Sequence, residues 1–210
     1  NKTLADTGIN VTEIGFGTYR FYKTPEHKET LKAALLAGIN LIDTSSNYTN
    51  GDSETAIGEV VAPLVYDEEL KRDEICIVTK AGYIQGDDYA TLSKQFPETV
   101  HINNELSHCI HPDFLEHQLK QSLDRMQQDF VDVFLLHNPE YFFDDPALKN
   151  TGIESQHDHY YERIKKAFAF LETCVQKGQI RYYGISSNTF ACTQEHDNST
   201  SFDRIFYLSF

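Results

Sequence analysis

The chain has 210 residues, a formal net charge of -14 and 40% hydrophobic residues. That is enough for one domain with a sizeable core, and the acidic balance argues against nucleic acid and anionic membrane surfaces as partners, because both select basic patches. No apolar stretch approaches the ~20 residues of a membrane span, and Asn1-Lys-Thr-Leu-Ala-Asp6 is too polar for a signal peptide.

The elements alternate in chain order. Residues 13–19 read as a short first strand. Residues 25–38 read as a helix, capped by Thr24, with Pro25 at its first position, Gly38 after its end and Leu31, Ala34 and Leu35 on its apolar stripe. The second strand is 39–43. Asp52 or Ser53 is expected to cap the next helix, with Ala56, Ile57 and Val60 facing inward. The third strand is 75–80. Residues 112–127 form a strong helix, with Phe114, Leu115, Leu119 and Leu123 at helical spacing. The fourth strand is 131–137. A helix over 159–177 closes at Gly178, and the fifth strand is 180–186. Residues 201–210 read as the opening of a fifth helix behind Thr200 and Ser201.

Strands alternating with helices imply βαβ units and a parallel sheet. The fold class expected is an α/β (β/α)8 barrel, of which 1–210 supplies about five βα units as one domain. Two connections are long: 81–110 and 138–157. Loops of this length are usually lids or mobile segments. Their aromatics, Tyr83, Tyr89, Phe96, Tyr141, Phe142 and Phe143, either wall a pocket or pack the loops.

Asp43, Lys80, His137 and Ser186 end four successive apolar runs. Catalytic residues of a (β/α)8 barrel come from that end of its strands. Tyr48 follows Asp43 by one short loop. With Tyr48 as proton donor, an adjacent Lys80 ammonium favours the phenolate that donation leaves behind, and Asp43 holds the ammonium. His137 can hydrogen-bond a carbonyl as it gains negative charge. The set is built to protonate an oxygen. No protein group here is a good redox centre, so a reduction borrows its hydride. Ser186, Ser187 and Asn188 can bind the carboxamide of a nicotinamide. Gly15-Phe-Gly17 is too short for GxGxxG, which disfavours a Rossmann fold.

His108-Cys109-Ile110-His111, with His101 nearby, fits no zinc spacing. Cys109 as a nucleophile needs a setting that lowers its pKa. The four cysteines lack CxxC spacing, and reduced thiols in the cytoplasm are expected. The sequons at Asn10, Asn47 and Asn198 then count as chance matches. A lyase or isomerase using Lys80 as a Schiff base would leave Tyr48 and Asp43 with less to do.

These residues resemble the aldo-keto reductase family. Residues 7–18 resemble its opening strand. Residues 38–48, with 51–58, resemble its signature segment, and Ile77-Val-Thr-Lys80 resembles its lysine strand. Asp132-Val-Phe-Leu-Leu-His137 resembles the histidine strand, and Gly184-Ile-Ser-Ser-Asn188 the cofactor-amide strand. The resemblance implies a tetrad of Asp43, Tyr48, Lys80 and His137, with Tyr48 as general acid. It places Gly17, Thr18 and Tyr19 near the nicotinamide and substrate, and it implies NADPH as donor and aldehydes or ketones as substrates. The second serine, Ser187, stands where many members have asparagine, which leaves the amide contact to Ser187 or Asn188. With five strands against the family's eight, and no initiator Met, a fragment or truncated product is expected. The alternative function is a non-catalytic regulatory or scaffold relative.

Overall fold

The computed structural model describes residues 2–190, 192 and 198–208. A short antiparallel pair, β1 (Lys2–Thr3) and β2 (Asn10–Val11), leads into β3 (Phe16–Gly17) and helix α1 (Pro25–Leu36). Then come β4 (Leu41–Asp43), α2 (Asp52–Tyr66) and β5 (Cys76–Ala81). A small antiparallel sheet follows, β6 (Tyr83–Gln85), β7 (Val100–His101) and β8 (Leu106–His108), with the one-turn helix α3 (Tyr89–Leu92) inside it. The chain continues through α4 (Pro112–Met126), β9 (Val131–His137), α5 (Ile153–Gln176), β10 (Ile180–Ser186) and α6 (Phe202–Leu208).

The main sheet is parallel, in the order β10-β9-β5-β4-β3. Its registers pair Gly17 with Asp43, Asp43 with Val78, Lys80 with Leu135 and Ser186 with His137, so the polar strand ends gather along one edge. Ile42, Ile77, Phe134 and Leu136 pack against Ile57, Val61, Leu115, Leu119, Ile164 and Leu171 from the helices, all buried. Cys76 and Val78 form a smaller cluster with Val11 and, partly buried, Leu41, Val133 and Leu135. Gly58 lets α2 approach α4, since a Cβ there would lie 2.6 Å from the Arg125 carbonyl oxygen.

Strands 131–137 and 180–186 and the helix beginning at Pro112 form as the sequence predicts. Thr24 caps α1 by accepting from the His27 N–H. Gly38 and Gly178 take positive φ after α1 and α5. Ser201 Oγ accepts from the Arg204 N–H at the start of α6; positions 209 and 210 of the predicted segment lie outside the described residues.

Five expectations are corrected. The first strand pairs only at Phe16–Gly17, because it is an edge with Ile14 72% exposed. Its neighbour β4 loses Ile39 and Asn40, whose amide side chain instead bonds Thr12, Asn10 and Glu74 backbone groups. Neither Asp52 nor Ser53 caps α2: Gly51, at φ 87°, is the cap, Asp52 pairs with Lys23 and Ser53 is buried against Thr18 and Thr44. Residues 81–110 are a packed sheet and not a loose loop, with Ile84, Leu92, Val100 and Ile110 buried. Helix α5 starts six residues before the predicted 159, at Ile153. Its first turns are polar, so no apolar period marks them; Gln156 Nε2 ties them to the Thr151 carbonyl at 2.8 Å.

Candidate active site

Three strands and one tight turn bring the tetrad together. Asp43 and His137 are the last residues of β4 and β9, and Lys80 is one short of the end of β5. Tyr48 opens a turn in which Thr49, Asn50 and Gly51 all take left-handed conformations. Thr49 Oγ1 anchors that turn to the Phe21 carbonyl at 3.0 Å. Such strained stretches persist where surrounding contacts over-determine them.

Lys80 is 5% exposed. Its Nζ donates to Asp43 Oδ1 at 2.8 Å, the Thr44 carbonyl at 2.7 Å and Tyr48 Oη at 3.4 Å. An ammonium has three donors and no lone pair, and all three are used. The Tyr48 ring meets Tyr19 and His137 edge-on, at 5.2 and 6.0 Å between centroids.

His137 is nearly buried, and its Nδ1 lies 3.0 Å from Ser45 Oγ. Desolvation, with the Lys80 charge and His108 beside it, pulls its pKa down to about 3, so the ring is neutral at neutral pH. His108, fully buried, is pulled down to about 4 by desolvation. Its Nε2–H donates to the His137 carbonyl at 2.8 Å, since only the nitrogen can be the donor there. Burial pushes the Tyr83 phenol up. Tyr83 Oη accepts from Asn138 Nδ2 at 2.6 Å, and its ring meets His137 edge-on at 4.8 Å.

A cleft of about 830 Å³ opens beside Tyr48 and His137. Every one of its lining side chains carries a hydrogen-bonding group, Tyr19, Arg20, Asn47, Gln85, Asn138 and Asn188 among them. A larger cavity of about 980 Å³ lies at the opposite end of the sheet, around Asn40, Ile75 and Ile180, and holds none of the tetrad.

The remaining predicted residues divide. Gly17 is exposed, and a Cβ there would meet nothing within 4 Å, so it leaves open space beside Asp43. Tyr19 and Asn188 line the cleft. Thr18 does not: its hydroxyl donates to the Asp43 carbonyl at 2.9 Å and it is buried. Ser186 is half-buried, and its carbonyl accepts the Asn138 N–H at 2.7 Å. Ser187 Oγ turns inward to Thr189 and Thr200, at 3.1 and 3.4 Å. Of the loop aromatics, Tyr83 borders the cleft, whereas Phe96 packs on Phe114 and Phe142 and Phe143 pack on Tyr160.

Sequence reasoning missed Ser45 and Glu140. Glu140 Oε1 accepts the Asn188 N–H at 2.7 Å and so ties the segment after β9 to the end of β10. Ser45 carried no signal beyond its place between Asp43 and Tyr48. The histidines weighed as metal ligands serve separate ends: His101 meets Ser107, His108 meets the His137 carbonyl and His111 caps α4. Among the described residues no group of three or more His, Cys, Asp or Glu side chains is arranged to hold a metal. Burial raises the pKa of the Cys109 thiol, the opposite of what a nucleophile needs.

The Aldo/keto reductase family profile matches residues 13–205. The chain belongs to the aldo-keto reductase family. Aldo-keto reductase YhdN of Bacillus subtilis is 31% identical over 66% of this chain and 38% of its own length. A Schizosaccharomyces pombe protein described as a candidate voltage-gated potassium channel subunit beta is 28% identical over 97% of this chain and 50% of its own length. Among solved structures, aldo-keto reductase AKR11C1 of Bacillus halodurans in its holo form superposes with a TM-score of 0.63 at 25% identity, covering 90% of this chain and 50% of that one. The likeness supports a TIM-barrel identity for this aldo-keto reductase sheet. The chain spans about half the length of the curated relatives it matches.

Proposed function

We propose that this aldo-keto reductase chain carries the proton-transfer half of an NAD(P)H-dependent carbonyl reduction, as five βα units of one barrel domain. The observation that carries this reading is the single ammonium shared by Asp43, Thr44 and Tyr48 beside a neutral imidazole. Tyr48 Oη donates its proton to the carbonyl oxygen of an aldehyde or ketone. The Lys80 N–H directed at that oxygen stabilises the phenolate left behind, and Asp43 keeps Lys80 charged and oriented. His137 hydrogen-bonds the carbonyl oxygen as negative charge grows there.

The residues present fit a nicotinamide dinucleotide, NADP(H) in this reading. Gly17 leaves open space that a side chain would fill, and Tyr19 and Asn188 face the same cleft as Tyr48. When bound, the dinucleotide supplies the hydride. Asn188, with its backbone N–H fixed by Glu140, is the better candidate for the carboxamide than the inward-turned Ser187. Gly17, Thr18, Tyr19, Asp43 and Ser186 complete the proposed cofactor set, Thr18 by shaping the Asp43 backbone. A lining without aliphatic side chains favours a small hydrophilic carbonyl substrate. Lys80 Nζ is already engaged by Asp43, the Thr44 carbonyl and Tyr48, which weakens a lyase reading. A cytoplasmic location suits the four free thiols.

The S. pombe relative keeps a second reading in view, a regulatory subunit without turnover. One experiment separates the two. NADPH and NADH binding is followed on the intact protein by tyrosine fluorescence, since the chain has no tryptophan, and carbonyl-dependent oxidation of the dinucleotide is assayed. Tyr48→Phe should keep binding and lose turnover by about 10²–10⁴-fold. Binding without turnover in the unaltered protein would favour the regulatory subunit, and failure to bind either dinucleotide would sink the reductase reading and leave the non-catalytic one in front.

A further inference from the structure

The unexplained contact at the site is Ser45 against His137. Ser45 is fully buried, and its Oγ lies 3.0 Å from His137 Nδ1, 3.1 Å from the Lys80 carbonyl and 2.7 Å from the Asn47 side-chain oxygen. A hydroxyl has one proton for these three neighbours. The Asn47 amide resolves itself, because its oxygen and nitrogen exchange places by a flip and its NH₂ then donates to Ser45. The Lys80 carbonyl already accepts the Ser46 N–H at 3.0 Å. His137 Nδ1 has no other hydrogen-bond partner among the described residues.

A neutral imidazole carries one N–H, and the bond at one nitrogen decides which nitrogen bears it. If Ser45 donates to Nδ1, the proton sits on Nε2. If Ser45 donates to the Lys80 carbonyl instead, Nδ1–H points at Ser45, and Nε2 presents a lone pair. Nε2 makes no hydrogen bond to a described residue, and the ring borders the cleft. A lone pair there would repel a carbonyl oxygen.

We propose that Ser45 is a positioning residue that donates to His137 Nδ1 and fixes the Nε2–H tautomer, so that the ring meets a carbonyl oxygen as a donor. The proposal rests on the carbonyl-reductase reading for its use, but the tautomer itself is a property of the protein without substrate. Ser45 acts through His137 and touches no substrate.

The test is the ¹⁵N spectrum of the imidazole nitrogens in the intact protein at neutral pH, assigned through a His137→Asn control. His137 Nδ1 should read as unprotonated and Nε2 as protonated. In Ser45→Ala the signals should move toward the mixed tautomers of a free imidazole, and Ser45→Cys, a weaker donor, should restore part of the shift. Turnover should fall about tenfold in kcat with KM changed less than about twofold, as for a hydrogen bond that tightens in the transition state. A protonated Nδ1 in the unaltered protein overturns the proposal outright, even if Ser45→Ala fails to fold. An unchanged tautomer in Ser45→Ala also overturns it. The predicted tautomer in a protein without turnover upholds the Ser45 assignment and counts against the reductase reading alone.

Discussion

The two ends of the sheet each carry a carboxylate against cations, and they use it differently. At the N-terminal end Asp132, 1% exposed at its side chain, lies between Arg72 at 3.0 Å and Arg181 at 3.1 Å and also accepts the Ile77 N–H at 2.9 Å. Both guanidiniums rest on the Phe130 ring, 4.1 and 4.7 Å from its centroid. None of these partners lines the cleft beside Tyr48. At the C-terminal end Asp43 is 48% exposed at its side chain, and Lys80 keeps its third and longest bond, 3.4 Å, for a phenol. One end is a fastener joining β5, β9 and β10. The other holds a proton where something outside the protein can reach it.

The contrast breaks first at Asp132. Asp132→Asn should cost about 3 kcal/mol in urea unfolding, because it leaves the largely buried Arg72 guanidinium short of a charge. A loss under about 1 kcal/mol would mean that the two ends are equivalent in stability and differ only in exposure.

Acid should act on the other end. His137 and His108 are held neutral in the fold, at about 3 and about 4, below the ordinary 6.5. Well above pH 6.5 these rings are neutral in both the folded and the unfolded protein, and they contribute no pH dependence. As pH falls, the unfolded chain binds protons that the folded chain refuses. Each histidine should therefore remove roughly 2 kcal/mol by pH 5, and the loss should level off below the folded values. Unfolding free energies measured between pH 7 and 5, in the unaltered protein and in His108→Asn, check this; identical slopes in the two would show that His108 titrates normally.

The smallest effect sharpens the cofactor edge of the site. Asn188→Ala should weaken dinucleotide binding by about 1 kcal/mol, the worth of a typical hydrogen bond, and Ser187→Ala should leave it near unaltered. Equal effects would mean that Ser187 turns outward to share the contact.

Elements bounded by clear apolar runs and caps were legible in the sequence. Strands β9 and β10 and helix α4 match their predicted limits closely because apolar runs and caps coincide there. The tetrad was legible because each strand-end residue interrupts such a run. The small sheet over 83–108 was not, since its strands are two or three residues long and leave no alternation to read. The start of α5 lacked an apolar period. Ser45 and Glu140 stayed hidden because their meaning lies in partners 92 and 48 residues away.

That small sheet has one more consequence. It leaves the main sheet after Ala81 and ends just before α4, and the two residues that flank it are hydrogen-bonded, the Cys109 N–H donating to the Gly82 carbonyl at 2.8 Å. A Cβ at Gly82 would lie 2.5 Å from the His137 carbonyl oxygen, so the neck is pinned against the site. Farther out the small sheet is held by α4 and α5, where Phe96 meets Phe114 and Glu98 takes the Arg163 guanidinium at its carbonyl and the Lys166 ammonium at its carboxylate. Its exposed tip at residues 103–105 can be lengthened, shortened or exchanged without moving a barrel strand, while Tyr83 and His108 at its base stay against His137.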